Sequence, residues 1–203
     1  MLEDLPDERE LKALYMLRPP RPASKPSLSL TFDICSVPNE RLHLARAIVE
    51  REGPLSDPAW QSFTDAVLPD GLFIARECAT ARLVGTASAV HNPRGSRFLF
   101  PGGGELGYLV VEPAFRGRGL GAALVAAVVH RFETAGYRHV WVGVQGWRLP
   151  AIRTYLAAGF RPFLHAPEPA VLEARWRRVF AQLGRDVDTS LWPRTLFDDT
   201  THG

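Results

Sequence analysis

The sequence predicts an α/β fold, and one stretch organises the rest of the chain. Residues Glu105–Gly121 begin as a strand of apolar residues, which must stop before Pro113 because proline cannot donate to a ladder, and continue as a loop of arginine and glycine. An apolar helix follows over Ala122–Phe132, and Arg138–Val144 forms the next buried strand. Because strand-helix-strand connections are right-handed, the two strands are predicted to run parallel.

The chain before this stretch supplies further elements. Pro6–Leu17 has helical character, and Arg18–Pro26 is a stiff, proline-rich connector. Leu28–Cys35 alternates apolar and polar residues, which predicts a half-buried strand. The first two segments are therefore interpreted as an extension, residues 1–27, before the main domain.

Two helices and a hairpin are predicted next. The first helix runs from Pro38 to about Arg51, and the second has Asp57 as N-cap and Pro58 as its first helical residue. Leu72–Glu77 and Leu83–Val90 flank a short link and form the hairpin. A long loop, His91–Gly104, leads from the hairpin to the central strand, and at least one of Phe98 and Phe100 is expected to line a pocket or an interface.

The C-terminal part is predicted to add two helices. Pro150–Ala158 ends at Gly159 and completes a main domain of residues 28–165, and an appended helix, Pro169–Leu183, ends at Gly184. Three arginines of the appended helix fall off its apolar seam and are expected on a solvated face: Arg175, Arg177 and Arg178. The tail from Asp186 is expected to be irregular, tied down by Leu191 and Trp192.

Composition narrows the class of protein. With 203 residues, 46% of them apolar, the chain can bury one good core, and it has no apolar run long enough to span a bilayer. The acidic N-terminus lacks the features of an export signal, and two cysteines are too few for a disulfide framework, so the cytoplasm is the expected compartment. The net charge of +2 is too small to indicate nucleic acid as the main partner. A metal site is not predicted either.

The loop after the central strand is a candidate anion site. Gly117, Gly119 and Gly121 lack Cβ atoms, so successive backbone N–H groups can approach an anion at the start of the helix, and Arg116 and Arg118 add positive charge. A diphosphate fits such a cradle, although a tight turn that needs glycine for its φ angles would give the same pattern.

A dinucleotide-binding fingerprint is the competing interpretation of this loop. Gly117-x-Gly119-x-x-Ala122 satisfies that pattern, which calls for an acidic residue at the end of the next strand to hold a ribose. The next strand ends in Gln145-Gly146 instead. A dehydrogenase is therefore disfavoured.

Two blocks of sequence resemble the GNAT superfamily of N-acetyltransferases. Arg116-Gly117-Arg118-Gly119-Leu120-Gly121 is similar to its acyl-CoA-binding signature, and it follows Val111-Glu112-Pro113 as in that family. Pro150–Phe160 is similar to a second block of the family and lies at a fitting distance. The resemblance implies a mixed, mostly antiparallel central sheet with helices on both faces and a splayed pair of parallel strands at its centre. It also implies acetyl-CoA as cosubstrate.

The resemblance assigns expected roles to individual residues. It implies that the backbone of Leu109, Val110 and Val111 binds the pantetheine arm and that the loop from Arg116 to Gly121 binds the diphosphate. Tyr155 lies where the family places the hydroxyl that protonates the departing sulfur, with a core aromatic as the alternative. Glu105 lies where one branch keeps its catalytic base, with a strand-end surface charge as the alternative; His91 and His139 are weaker candidates. Arg148 stands near the position of an asparagine in many relatives, so the role of that asparagine is not carried over. Two alternatives stay open for Arg148, a contact with a phosphate and a position in solvent.

The leading hypothesis is acetyl-CoA-dependent acetylation of a primary amine on a small molecule or a peptide, by direct attack and without a metal. Acetylation of a protein terminus or lysine, and a CoA-binding module without catalysis, are the alternatives. The loop Glu52–Ser56, which borders the acceptor pocket in the resembling family, does not identify the acceptor. A second copy of the chain is a candidate partner through the N-terminal extension.

Overall fold

The computed structural model describes residues 11–20, 31–91 and 99–195. The strands are β1 (Leu14–Arg18), β2 (Phe32–Val37), β3 (Val67–Glu77), β4 (Leu83–His91), β5 (Gly104–Val111), β6 (Val140–Val144) and β7 (Arg161–Pro162). The α-helices are α1 (Arg46–Val49), α2 (Asp57–Ala66), α3 (Leu120–Thr134), α4 (Leu149–Ala157) and α5 (Pro169–Gln182). Short 3₁₀ turns cover Asn39–Ala45, Glu50–Glu52, Pro113–Phe115 and Thr189–Leu191. The chain divides into two compact units, a larger one from Pro20–Val140 and a smaller one from Met1–Pro19 with Trp141–Gly203.

The larger unit contains an antiparallel sheet in the order β2-β3-β4-β5. The predicted hairpin is confirmed as β3 and β4, with β3 beginning earlier than the sequence indicated. One face of this sheet packs on α1 and α2, whose buried side chains include Ile48 and Phe63. This arrangement is what the amphipathic helices and alternating strands of the sequence require.

The connection from β5 to α3 follows the prediction closely. Glu112 leads into Pro113, which starts a short 3₁₀ turn, and α3 begins directly after Gly119 in the left-handed region at φ 79°. The helix ends before Gly136, which has φ 81° and therefore suits a C-terminal cap. Phe132 of α3 fills the space over Gly104, because a Cβ there would lie 2.2 Å from its ring.

The smaller unit contains β6, β1 and β7 in that order, with α4 and α5. β1 pairs antiparallel with β7, where Met16 is opposite Pro162. Arg18 donates to the carbonyl of Ala158 at 3.1 Å, which fixes the end of β1 to the end of α4. The core of α5 is formed by Trp176 and its apolar neighbours, as its periodicity predicted.

The N-terminal prediction was wrong in the part that the structure describes. Leu14–Arg18 is a strand, not the end of a helix. Leu14 and Met16 are fully buried, and β1 pairs with β7 at Met16 and Leu17. The residue before Pro19 is also biased away from the helical region. Residues 1–10 lie outside the described ranges.

Three smaller predictions also need correction. Ser56, rather than Asp57, caps α2, since its hydroxyl accepts from the N–H of Ala59 at 3.4 Å. Arg175 is only 6% exposed and donates to the carbonyl of Lys12 at 2.8 Å, so it is not on a solvated face. Leu191 is 64% exposed and does not tie down the tail.

Other expectations are confirmed, or lie partly outside the described residues. Trp192 does tie down the tail, since it is buried against Phe180 with ring centroids 5.4 Å apart. The predicted strand Leu28–Cys35 appears as β2, whereas Leu28 and Leu30 lie outside the described residues.

The predicted fold class, mixed and mostly antiparallel α/β, is confirmed. Both strands of the predicted parallel pair are present, β5 in the larger unit and β6 at the start of the smaller one. None of the helices in the described ranges has the length and apolar character needed to cross a membrane. The limits 28–165 of a main domain stay a prediction.

Candidate active site

A β-bulge interrupts strand β5 in its middle. Ser88 of β4 is opposite Gly107 and Thr86 is opposite Val110, so two residues of β5, Tyr108 and Leu109, fall where β4 has one. Tyr108 has φ 45°, in the left-handed region that residues other than glycine rarely adopt. A bulge of this kind leaves backbone groups outside the ladder and redirects neighbouring side chains. The alternating sequence predicted a regular strand, so the bulge was missed.

Glu105 is half-buried near the start of β5, opposite Val90 of β4. Burial raises the pKa of its carboxyl from 4.5 to about 7, because the charged form loses solvation. Within the described residues, no lysine, arginine or histidine forms an ion pair with this carboxylate. A carboxyl that titrates near neutral pH can accept a proton from an ammonium group and release it again.

The phenol of Tyr108 interacts electrostatically with Glu105. Burial and the negative charge of Glu105 both raise the pKa of the phenol. Burial is the larger of the two causes. The ring packs edge-on against Phe63 of α2, with centroids 4.6 Å apart. The bulge therefore brings an aromatic side chain of β5 onto the face of the sheet that α1 and α2 cover.

Glu112, directly after β5, differs from Glu105 because its buried carboxylate is paired with two arginines. It is 3% exposed, and its two carboxylate oxygens accept from different arginines, Arg51 on one and Arg82 at 2.6 Å on the other. Its backbone N–H donates to Val84 and its carbonyl accepts from Phe115, both at 2.9 Å. Sequence reasoning used Glu112 as the residue before a proline and as part of the family-like Val111-Glu112-Pro113, and it did not identify this anchor.

The loop after Glu112 has the features expected of an anion cradle. Gly117 and Gly119 have φ 76° and 79°, and a Cβ at either would meet nothing within 4 Å. We find no hydrogen-bond acceptor for the N–H groups of Gly117, Arg118 or Gly119 in the part of the chain that the structure describes. The N–H of Arg116 is partly engaged, at 3.3 Å from the carbonyl of Pro113.

The two arginines of the loop contact residues that precede it in the chain, Val111 and Phe115. The Nε atom of Arg116 donates to the carbonyl of Val111 at 3.0 Å, so one of the predicted pantetheine contacts already has a protein partner. The guanidinium of Arg118 lies over the ring of Phe115, 5.3 Å from the centroid, and Arg82 lies over the same ring at 5.8 Å. Two guanidinium groups therefore lie over Phe115, in the turn that precedes α3.

A clamp built on Arg46 holds the loop between α1 and α2, which we name the α1–α2 loop (residues 53–56). The guanidinium reaches Glu50 at 2.7 Å, Asp57 at 2.8 Å and the carbonyl of Leu55 at 2.9 Å. It also lies over the ring of Trp60 at 5.7 Å. Arg46 thus links the two ends of the predicted acceptor-side loop.

The smaller unit carries the other two predicted site residues. Tyr155 lies on α4, faces inward as predicted and is 5% exposed, with its ring 5.8 Å from that of Phe160. Arg148, just before α4, places its guanidinium over the exposed ring of Trp147 at 4.9 Å.

Two further predictions concern His91, a weaker candidate for the base, and the phenylalanines of the loop before β5. His91 is exposed, and its Nδ1 atom hydrogen-bonds the hydroxyl of Tyr137. Phe100 is buried, whereas Phe98 lies outside the described residues. In the described ranges, no three metal-binding side chains of the His, Cys, Asp or Glu type come together.

Strand β5 thus carries a bulge and a carboxyl whose pKa burial raises to about 7, and it leads into the glycine and arginine loop that opens α3 in an α/β protein. The model of the Acetyltransferase (GNAT) family matches residues 33–160. The chain therefore belongs to the GNAT family of acetyltransferases, which uses acetyl-CoA as cosubstrate.

Curated relatives agree with this assignment. Mycothiol acetyltransferase of Mycobacteroides abscessus is 34% identical over 109 residues, which cover 53% of this chain and 34% of the relative. An uncharacterised N-acetyltransferase of Schizosaccharomyces pombe is 36% identical over 78 residues, covering 37% of this chain and 48% of the relative. The matches span between a third and a half of these relatives' own lengths.

Solved structures share the fold. A GCN5-related N-acetyltransferase from Sphaerobacter thermophilus superposes with a TM-score of 0.61 at 24% identity, covering 74% of this chain and 48% of that one. A GCN5-related N-acetyltransferase from Kribbella flavida gives a TM-score of 0.53 at 20% identity, covering 75% of this chain and 55% of that one.

Proposed function

We propose that this protein transfers the acetyl group of acetyl-CoA to a primary amine of a small molecule or a peptide, by direct attack in a ternary complex. The observation that carries the proposal is Glu105, a half-buried carboxyl with a pKa of about 7 on the same strand that leads into the anion cradle. Family membership supports the reaction class, and the site residues support the chemistry.

The cosubstrate is proposed to bind along β5 and at the start of α3. A diphosphate suits the free amides of the segment from Gly117 through Leu120 to Gly121, because short N–H···O⁻ bonds need close approach of the backbone. Arg116 and Arg118 add positive charge beside these amides. The backbone of Leu109, Val110 and Val111 is proposed to pair with the pantetheine arm, after Arg116 releases the carbonyl of Val111. Arg148 is a further candidate for a phosphate.

The proton transfers are assigned to two side chains. Glu105 takes a proton from the acceptor ammonium, so that the neutral amine can attack the thioester carbon. The C–N bond forms, the C–S bond breaks, and the thiolate leaves with the electron pair of that bond. Tyr155 donates its phenolic proton to the thiolate. The nitrogen loses two protons in all, of which Glu105 passes the first to solvent and the second restores the phenol of Tyr155. A backbone N–H freed at the bulge is the proposed donor to the oxyanion.

A thiol-release assay tests this proposal. Purified protein is given acetyl-CoA and a panel of amines, peptides and aminoglycosides, and the panel includes the acceptor of mycothiol acetyltransferase because relatives carry that name. Turnover with an amine or a peptide supports the proposal. Turnover only with protein termini or lysines supports the alternative hypothesis, in which the acceptor is a protein.

The Tyr155→Phe variant separates catalysis from binding. It is expected to bind CoA with unchanged affinity in calorimetry while kcat falls by about a hundredfold, since general acid catalysis contributes about that much or more. Tight CoA binding by the unmodified protein, with no turnover of any acceptor, would mean that the domain binds CoA without catalysis.

A further inference from the structure

The bulge in β5 brings Tyr108 to the face of the sheet that carries Glu105. Glu105 lies directly opposite Val90, and residues paired across two strands share one face of a sheet. Val90 belongs to the apolar cluster that includes side chains of α1 and α2, and Tyr108 packs against the same cluster. In a regular strand, residues an odd number of positions apart point to opposite faces, so without the bulge Tyr108 would point away from Glu105.

The backbone of Tyr108 is strained, although the residue lies inside a strand of the sheet. Its φ of 45° suits glycine, whereas an aromatic residue adopts it at a cost. In the described ranges, two other residues besides glycine have positive φ: Asp70, of a type that tolerates this region, and Ala81, in the link between β3 and β4. Strain of this kind is typical of functional sites. It indicates that the side chain of Tyr108 is what this position supplies.

A row of aromatic rings supports Tyr108 from the side of α2. The ring of Phe63 lies 4.6 Å from that of Tyr108 and 5.4 Å from that of Trp60, measured between centroids. Phe63 and Trp60 are buried, whereas Tyr108 and Glu105 are half-buried. The row therefore ends in a ring that a ligand can still reach, next to a carboxyl that a ligand can also reach.

The charges on this side of the sheet favour a cation over an anion. No cationic side chain of the described residues forms an ion pair with Glu105. Arg46 already binds the two acids at the ends of the α1–α2 loop, and Arg51 already binds Glu112. A ligand carboxylate would therefore face Glu105 while both arginines of α1 and the turn after it are engaged. A ligand ammonium would instead gain a partner.

We propose that Tyr108 is a specificity-determining residue for the acceptor, and that Tyr108 and Glu105 together select a primary ammonium on an apolar body with no carboxylate beside it. The aromatic ring attracts the ammonium, and Leu55 and Ala66, both half-buried at the edge of the same cluster, offer apolar surface to the body. This inference rests on the proposed function for the reaction and for the role of Glu105, and it adds the class of amine.

Thiol release from acetyl-CoA tests this selectivity with three probes, phenethylamine, phenylalanine and ethanolamine. Phenylalanine differs from phenethylamine by a carboxylate beside the amine, and its kcat/KM is expected to be about a hundredfold lower, because two like charges would meet. Ethanolamine lacks the apolar body, and its kcat/KM is expected to be about tenfold lower than that of phenethylamine.

Two substitutions of Tyr108 separate the ring from its hydroxyl. Tyr108→Leu keeps an apolar side chain but removes the ring, so KM for phenethylamine is expected to rise about fivefold while kcat stays within about twofold. Tyr108→Phe keeps the ring and is expected to leave KM within about twofold. Tyr137→Leu is the matched control, because it removes another half-buried ring that packs on a phenylalanine, Phe132 of α3, and it is expected to leave KM unchanged.

A further variant covers the case in which Tyr108→Leu does not fold. Phe63→Leu removes the ring that supports Tyr108, and it is expected to raise KM for phenethylamine without a comparable loss of kcat. An unchanged KM in whichever of the two variants folds would overturn the role of Tyr108. A rise in Tyr108→Phe or in Tyr137→Leu as large as that in Tyr108→Leu would overturn the role of the ring.

The outcomes separate the two proposals. If CoA does not bind, or if it binds and no acceptor releases thiol, the proposed function fails and this inference fails with it. If thiol is released but phenylalanine or ethanolamine reacts as efficiently as phenethylamine, only the selectivity is overturned. Turnover with polar small molecules alone, or with protein acceptors alone, overturns the selectivity as well and leaves acetyl transfer in place.

Discussion

Two glutamates stand at opposite ends of strand β5 and have opposite surroundings. Glu105 is half-buried with no ion-pair partner in the described ranges, and burial raises the pKa of its carboxyl to about 7. Glu112 is almost fully buried and shares its carboxylate between Arg51 and Arg82. Desolvation without compensation makes an acid reactive near neutral pH, whereas desolvation with two cations makes it a fixed point of the structure. Under the proposed function, β5 therefore carries the reacting carboxyl at its start and an anchoring carboxylate at its end.

The largest expected effect comes from replacing the reactive glutamate. Glu105→Gln keeps the shape of the side chain but removes the proton acceptor, so kcat is expected to fall by about a hundredfold or more. The melting temperature at pH 7.5 is expected to stay unchanged or rise, because a buried charge without a partner has been removed. Steady-state thiol release and thermal unfolding measure the two quantities. A drop in melting temperature with little loss of rate would mean that Glu105 is structural.

The anchoring glutamate is expected to show the reverse pattern. Glu112→Gln loses two ion pairs in a buried position but keeps some hydrogen bonding, so the free energy of unfolding is expected to fall by about 2 kcal/mol. For a chain of this size that corresponds to a melting temperature lower by about 4–8 °C. With both substrates saturating, kcat is expected to stay within about threefold of the unmodified value. A loss of kcat as large as that of Glu105→Gln would erase the distinction between the two ends of the strand.

The pH dependence of the two ends should also differ. Glu105 must be ionised to act, so log(kcat/KM) is expected to rise with unit slope up to about pH 7 and then level off. At pH 6 the rate is about a tenth of its plateau. Glu105→Gln should lose this inflection, and Glu112→Gln should keep it. An inflection that persists in Glu105→Gln would assign the base to another group.

Stability depends on pH with a sign that follows from the same shift. The folded pKa of Glu105 is raised from 4.5 to about 7, so in that interval the folded state binds the proton more tightly than the unfolded state does. Stability from this group is therefore full below pH 4.5 and is lost as the pH rises toward 7. The difference in melting temperature between the unmodified protein and Glu105→Gln should change across this interval, in the direction that favours the variant at higher pH.

The sequence predicted those features that depend on neighbouring residues. Pro113 marked the end of β5, and the arginine and glycine loop marked the approach to α3, which begins at Leu120 rather than at the predicted Ala122. Tyr155 faces inward on α4 as helical spacing required. Periodicity and the special φ angles of proline and glycine are local properties, so they are readable without the fold.

Several of the features that it did not predict depend on distant contacts. Leu14–Arg18 became a strand because β7 was available to pair with it. Arg175 is buried because its guanidinium meets the carbonyl of Lys12, far away in the chain. The arginines around Glu112 likewise come from separate elements, so no spacing rule could indicate them. The clamp on Arg46 combines an i,i+4 pair with Glu50, which follows a spacing rule, with contacts across the α1–α2 loop, which do not.

The smallest expected effect concerns the cradle beyond the anchored end of β5. Gly119→Ala and Gly136→Ala are a matched pair, since both glycines have φ near 80° and a Cβ at either meets nothing within 4 Å. Each substitution is expected to cost about 1 kcal/mol of stability, because alanine is strained at positive φ. Only Gly119→Ala should weaken CoA binding, by about fivefold to tenfold in calorimetry, since its amide lies in the proposed diphosphate cradle. Equal CoA affinities in the two variants would mean that the glycines serve the turn alone, and that the anchor at Glu112 positions a loop without a ligand.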